Sequence, residues 1–125
     1  MKQKFYRCPI CGQIVAIVKE TKIPIVCCGK PMLEIIAGTT EASLEKHIPV
    51  VEIQNDKVLV RVGSVEHPMT PEHYIEWISL QTNKGNQRKI LKPSDEPKCC
   101  FSICKDEHIE AVYAYCNLHS LWKSE

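Results

Sequence analysis

His73-Tyr74-Ile75-Glu76-Trp77-Ile78-Ser79-Leu80-Gln81-Thr82 is a strand by its pattern. Tyr74, Glu76, Ile78, Leu80 and Thr82 fall on one face and Ile75, Trp77 and Ser79 on the other, the two-residue period of a pleated chain. Asn83-Lys84-Gly85-Asn86 then turns the chain into Gln87 to Leu91. Upstream, Ile48 to Ile53 leads through Gln54-Asn55-Asp56 into Val58-Leu59-Val60-Arg61-Val62, which ends at Gly63. Downstream, strands are expected at about Cys100 to Cys104 and Ala111 to Cys116. No long stretch has a period of 3.6, although Pro71 to Ile75 can open as one helical turn and Lys105 to Tyr113 is ambiguous. Short antiparallel strands at this spacing predict an all-β fold, a β-sandwich. Internal repeats and low-complexity segments are absent.

The amino-terminal third is different. Four of the eight cysteines fall between Cys8 and Cys28, and the next is Cys99. Cys8-Pro9-Ile10-Cys11-Gly12 has the form of a metal knuckle: two intervening residues let both sulfurs reach one ion while backbone N–H groups turn toward them. A short apolar run, Ile14 to Val18, follows, and then Val26-Cys27-Cys28-Gly29-Lys30-Pro31-Met32 supplies a second sulfur pair in a Gly/Pro turn. Adjacent cysteines cannot form a second knuckle, so the geometry on that side is expected to be strained from an ideal tetrahedron. So short a segment can hardly bury a sufficient core unaided, and a metal is expected to hold it together. Four thiolates suit iron and zinc alike. A disulfide is the competing use. The small, polar residues 37–46 form the expected linker, which divides the chain into a metal-stapled β module, 1–36, and a sandwich domain, 37–125.

Composition restricts partners. Among 125 residues the net charge is +1, which predicts neither nucleic acid nor membrane as a partner. No charged region followed by an apolar one opens the chain, and no apolar run approaches the ~18 residues of a membrane span. A cytoplasmic location is expected, where Cys-x-x-Cys spacing points to metal binding.

The second domain carries a further set of ligand types. Three histidines lie in Glu45-Lys46-His47-Ile48-Pro49, Glu66-His67-Pro68-Met69 and Pro71-Glu72-His73-Tyr74, and the tail contains Cys116-Asn117-Leu118-His119. Singly, each His is explained as a turn residue or a polar strand start. Together they lie at strand ends and turns, where the loops of a sandwich can converge. One thiolate with four imidazoles is too many ligands for a closed tetrahedral zinc site. It suits a redox iron that keeps a coordination position free.

These motifs resemble desulfoferrodoxin, the two-centre form of superoxide reductase, over essentially the whole chain. Cys8-x-x-Cys11 with Cys27-Cys28 resembles the family's desulforedoxin-like centre. Glu45-Lys46-His47-Ile48-Pro49, His67-Pro68-Met69 and Cys116-Asn117-Leu118-His119 resemble the segments of its catalytic, neelaredoxin-like domain. The resemblance implies a rubredoxin-like iron site held by Cys8, Cys11, Cys27 and Cys28, and an immunoglobulin-like sandwich bearing a square-pyramidal iron. There His47, His67, His73 and His119 would be equatorial and Cys116 axial. It further implies a homodimer, and one-electron reduction of superoxide to hydrogen peroxide with rubredoxin as donor. Glu45 would occupy the sixth position of the resting ferric site. A carboxylate is sensible there because ferric iron is the harder acid. Lys46 would steer the anion and aid protonation.

Cys99, Cys100, Cys104 and His108 match no ligand motif of the family. In a strand, Cys100 and Cys104 share a face with Ser102, opposite Cys99 and Ile103, and buried free thiols are the expectation. Ser120 stands where the family often has Gly. Two other classes remain open on the sequence: a zinc-stabilised binding module without turnover, and an electron carrier with two iron centres.

Overall fold

Residues 2–124 are described in a computed structural model of the chain. The backbone forms two compact units, Met1–Ile36 and Ala37–Glu125.

In the first unit, β1 (Phe5–Arg7), β2 (Ile14–Ala16) and β5 (Leu33–Glu34) form a three-stranded sheet in the order β2-β1-β5. β3 (Val26–Cys27) and β4 (Lys30–Pro31) make a separate hairpin. Both connections are dictated by the cysteine turns. Between β1 and β2, the Gly12 amide bonds the Cys8 carbonyl at 3.1 Å, with Gly12 at φ 80°. Between β3 and β4 the two-residue loop is Cys28-Gly29, with both residues at positive φ, 53° and 72°. That is the backbone sign pattern of a type I′ hairpin, whose twist matches the flanking strands. The only apolar side chains buried in this unit, among the described residues, are Phe5, Cys8 and Met32.

The second unit opens with a single helical turn, α1 (Leu44–His47). Two sheets follow: β6 (Pro49–Gln54), β7 (Lys57–Val62) and β10 (Lys98–Ser102) in the order β10-β7-β6, and β8 (Ile75–Thr82), β9 (Gly85–Ile90), β11 (Ile109–Cys116) and β12 (Ser120–Lys123) in the order β12-β11-β8-β9. All pairings are antiparallel. The core joins Val58, Val60 and Val62 of β7 and Phe101 of β10 to Ile78 and Leu80 of β8 and Val112, Ala114 and Cys116 of β11. These are alternate positions on each strand, as a two-sheet sandwich requires.

Several expectations are corrected. Ile75 was placed opposite Ile78 and Leu80, but all three are fully buried in the core. Cys116 pairs with Ile75 and Tyr115 with Trp77, so Glu76 is an extra residue, a β-bulge that reverses the strand's parity. Thr82 pairs with Gly85, so β9 starts two residues earlier than expected and the turn is only Asn83-Lys84. Pro71 to Ile75 is not a helical turn, because Thr70 and His73 bridge each other. The expected linker ends in α1, and β12 was not anticipated. Cys99 of β10 and Ile103 just beyond it pack against the core as the alternation requires. All three thiols were expected to be buried, but Cys99 is half-buried and Cys100 and Cys104, on the opposite side of the alternation, are exposed free thiols.

Candidate metal centres

The four sulfurs of the first unit form one group in which every pair lies within 4.8 Å. Cys11 Sγ is 3.7 Å and Cys28 Sγ 4.0 Å from Cys27 Sγ. The amides of Ile10 and Cys11 both donate to Cys8 Sγ at 3.4 Å, the inward-turned N–H groups of the knuckle. The Cys11 amide above all, with that of Ile10, lowers the Cys8 thiol to about 6. Hydrogen bonding with Cys8 and then Cys11 pushes Cys27 up to about 12, and Cys28 is raised by the same two neighbours. The Cys8 thiolate therefore forms readily while Cys27 and Cys28 resist. A bound cation removes that conflict, which is the chemical reason the quartet fits a metal. Cys28 reaches the group from a left-handed backbone, where a non-glycine residue costs about 1–2 kcal/mol.

The second group forms at one end of the sandwich, where β6 and β8 start and β7 and β11 finish. His47 closes α1 and is buried, and His67 lies in the loop after β7, its amide bonded to the Val62 carbonyl at 3.0 Å. His73 precedes β8, Cys116 ends β11, and His119 lies in the turn to β12. Ligand atoms of His47, His67, His73 and Cys116 all lie within 4.8 Å of one another. His119 Nδ1 completes the set, 3.1 Å from His47 Nε2 and 3.8 Å from Cys116 Sγ.

Ring geometry gives the arrangement. Neighbouring centroids around the circuit 47, 67, 73, 119 are 4.7, 4.7, 5.1 and 4.9 Å apart, with rings at 75° to 89°. His47 and His73 are 6.4 Å apart and nearly parallel, at 30°. Four short sides and a longer diagonal describe a square, with His47 opposite His73. Cys116 Sγ lies within reach of every corner, as the apex of a square pyramid does.

Tautomers follow from the backbone. His47 Nδ1 donates to the Ser43 carbonyl and His67 Nδ1 to the Pro68 carbonyl, each at 2.7 Å. The Nε2 lone pairs of the two rings then face each other at 3.2 Å. His73 Nε2 is buried without a hydrogen-bond partner. Burial lowers His47, His67 and His73, His67 to about 4, so the rings are neutral at pH 7. Converging neutral lone pairs and an orphaned nitrogen are stable together only around a cation. Burial raises the Cys116 thiol, while the Leu118 and His119 amides lower it. The Cys116-to-His119 turn thus repeats the device of the Cys8-to-Cys11 knuckle: amides two and three residues on are aimed at the sulfur.

A family model for desulfoferrodoxin matches residues 39–125, and one for the desulfoferrodoxin N-terminal domain matches residues 1–35. The chain belongs to the desulfoferrodoxin family. It is 47% identical to a desulfoferrodoxin homolog of Archaeoglobus fulgidus over 95% of this chain and 94% of that one. A desulfoferrodoxin of Syntrophotalea carbinolica is 44% identical over 99% of this chain and 97% of its own length. Among solved structures, the superoxide reductase from Treponema pallidum superposes with a TM-score of 0.84 at 36% identity, covering all of both chains. The four-sulfur group and the group of four imidazoles and one sulfur match the two iron centres of a desulfoferrodoxin.

Glu45 and Lys46 are both exposed, and the Glu45 carboxylate is not part of the ligand group. Helical spacing explains this: two residues along a turn is about 200°, so α1 directs Glu45 away from the side on which His47 enters. The Lys46 charge nevertheless acts on both His47 and His73, at opposite corners of the square. Asn117 was not singled out in the sequence. Its Oδ1 accepts from the Tyr74 amide at 2.9 Å, its Nδ2 donates to the Glu72 carbonyl at 3.0 Å, and its own amide bonds the Tyr74 carbonyl at 3.2 Å. It staples the turn bearing Cys116 and His119 to the segment bearing His73. An Asn between two ligands, where Asx hydrogen bonding is common, was the available signal. Trp122 supports the same corner by donating Nε1–H to the His119 carbonyl at 2.9 Å.

Proposed function

We propose that this chain is a superoxide reductase, reducing superoxide by one electron to hydrogen peroxide. The observation that carries the reading is the square of four imidazoles with a thiolate at its apex, a set with one ligand too many for closed tetrahedral zinc. His47, His67, His73, His119 and Cys116 would hold the iron. Iron bound there supplies the electron, and the apical thiolate favours its transfer by donating electron density.

The residues around it do the rest. The carbonyls of Ser43 and Pro68 fix two rings as Nδ1–H tautomers, so no proton competes for the metal-facing nitrogens. Lys46 places a positive charge on the solvent side, where it raises the local concentration of an anionic substrate and can deliver a proton to the peroxide. Glu45 is proposed as a carboxylate that would also hold the iron between turnovers, which requires α1 to rearrange. Cys8, Cys11, Cys27 and Cys28 would hold a second iron that stores an electron. A rubredoxin-type protein is the proposed donor, a homodimer the proposed assembly and the cytoplasm the proposed location. No helix of the described residues is long and apolar enough to cross a membrane.

Metal analysis combined with rapid mixing tests this. The holoprotein should contain two irons per chain, and superoxide should oxidise the reduced His/Cys centre in a fast second-order step. Zinc in that site, or iron indifferent to superoxide, would leave a binding module or an electron carrier.

A further inference from the structure

Gly63 has an unusual neighbour. A Cβ there would stand 2.5 Å from the Glu45 carbonyl oxygen and 2.9 Å from the Lys46 carbonyl carbon. The other four glycines meet either nothing within 4 Å or, at Gly12, the movable end of the Arg7 side chain. The backbone of Gly63 is not in the left-handed region, so a positive φ is not what demands glycine there. The contact does.

The loop after β7 grips the same peptide. The Val65 amide donates to the Glu45 carbonyl at 2.9 Å, and Ser64 Oγ donates to that oxygen at 3.2 Å. Bonds from Gly63 N to Val65 O at 3.4 Å and from His67 N to Val62 O at 3.0 Å close the loop on itself. The segment that delivers His67 is therefore also the seat of the segment that delivers His47. Ser64 and Val65 are exposed, so this is a local grip at the solvent edge and not core packing.

We propose that Gly63 is a positioning residue that sets the height of Lys46 over the substrate side of the His/Cys centre, by letting the Glu45–Lys46 peptide settle into the Gly63–Val65 loop. The inference rests on the superoxide reductase reading, in which Lys46 steers the anion. Any side chain at position 63 lifts the Glu45–Lys46 peptide, because the obstructing atoms are backbone and cannot rotate away. Lys46 then moves with it while the ligands remain in the chain.

The test is a double-mutant cycle on the iron-loaded protein with Gly63→Ala, Lys46→Ala and both together. The expected result has four parts. Gly63→Ala retains the absorption of the His/Cys iron. It slows the reaction with superoxide and flattens its salt dependence about as much as Lys46→Ala does. The double variant is no slower than Lys46→Ala alone, and hydrogen exchange at the Val65 amide accelerates while β8 and β11 keep their protection. Wild-type kinetics in Gly63→Ala, or losses that multiply in the double variant, would overturn the proposal. Should Gly63→Ala fail to hold iron, Ser64→Ala decides in the same assays: a partial loss non-additive with Lys46→Ala supports the seat, and none overturns it. A wild-type protein inert to superoxide would instead refute the reductase reading, with amide exchange still reporting the grip.

Discussion

Asn117→Ala removes the staple between the two halves of the His/Cys site. The side chain makes two hydrogen bonds to backbone, from the Tyr74 amide and to the Glu72 carbonyl, both in a partly buried or exposed setting. Each contributes about 1 kcal/mol net, and the half-buried Tyr74 amide left without its partner adds up to about 1 kcal/mol more, giving a loss of about 2–3 kcal/mol. For a unit of roughly 90 residues, that corresponds to a fall in melting temperature of roughly 10–20 °C. The deficit should fall on the metal-binding end of the sandwich, so the His/Cys iron should also be lost faster to a chelator than in wild type. Asn117→Asp keeps the acceptor for Tyr74 but loses the donor to Glu72, and should be intermediate. Calorimetry and chelator-release kinetics on the holoproteins measure both effects. A melting temperature within about 3 °C of wild type, with unchanged iron release, would refute the staple.

Three further outcomes follow from the geometry. In metal-free protein, the depressed His67 pKa means the unfolded state binds more protons between about 4 and 6.5, so stability falls as pH is lowered through that window, with about 3 kcal/mol from His67 and a further loss in the same direction from His47 and His73; denaturant melts at pH 7 and pH 4 check this, and pH-independent stability would contradict it. Ser120 is at φ 64°, so Ser120→Gly relieves left-handed strain of about 1–2 kcal/mol against an unfolded-state cost of about 0.5–1, a net gain of about 0.5–1 kcal/mol readable as a raised melting temperature. Removing the metal held by Cys8, Cys11, Cys27 and Cys28 should abolish amide protection in residues 2–36 while the sandwich keeps its own, because Phe5, Cys8 and Met32 alone cannot supply a core; undiminished protection of β1 and β2 would refute metal dependence.

The ligands were legible because their chemistry is rare. Cys-x-x-Cys, a Cys-Cys pair and four histidines at turns have few other uses, and the structure brings the four imidazoles with Cys116 to one point and the sulfurs of Cys8, Cys11, Cys27 and Cys28 to another. Strands β6 to β8 were legible from their alternation. The bulge at Glu76 was not, since an inserted residue leaves no mark on a two-residue period except a parity error visible only in the partner's register. β12 is four residues long and opens on Ser120, whose left-handed backbone no glycine of this chain announces. Cys100 and Cys104 were misjudged because a thiol's burial depends on what covers its face, and alternation alone does not say which face is covered. Gly63 meets backbone atoms of a distant segment, which no local pattern reveals, and for Asn117 the Asx signal says that it bonds backbone but not which segment it reaches.

The central claim is that the His/Cys centre reduces superoxide and does not dismute it. Titrating fully reduced holoprotein with superoxide while counting peroxide and oxygen tests it most directly. One hydrogen peroxide per superoxide consumed, with no oxygen released and turnover ceasing until an electron donor is added, is the predicted result. Oxygen and peroxide in equal amounts without a donor, or superoxide left unconsumed, would contradict it.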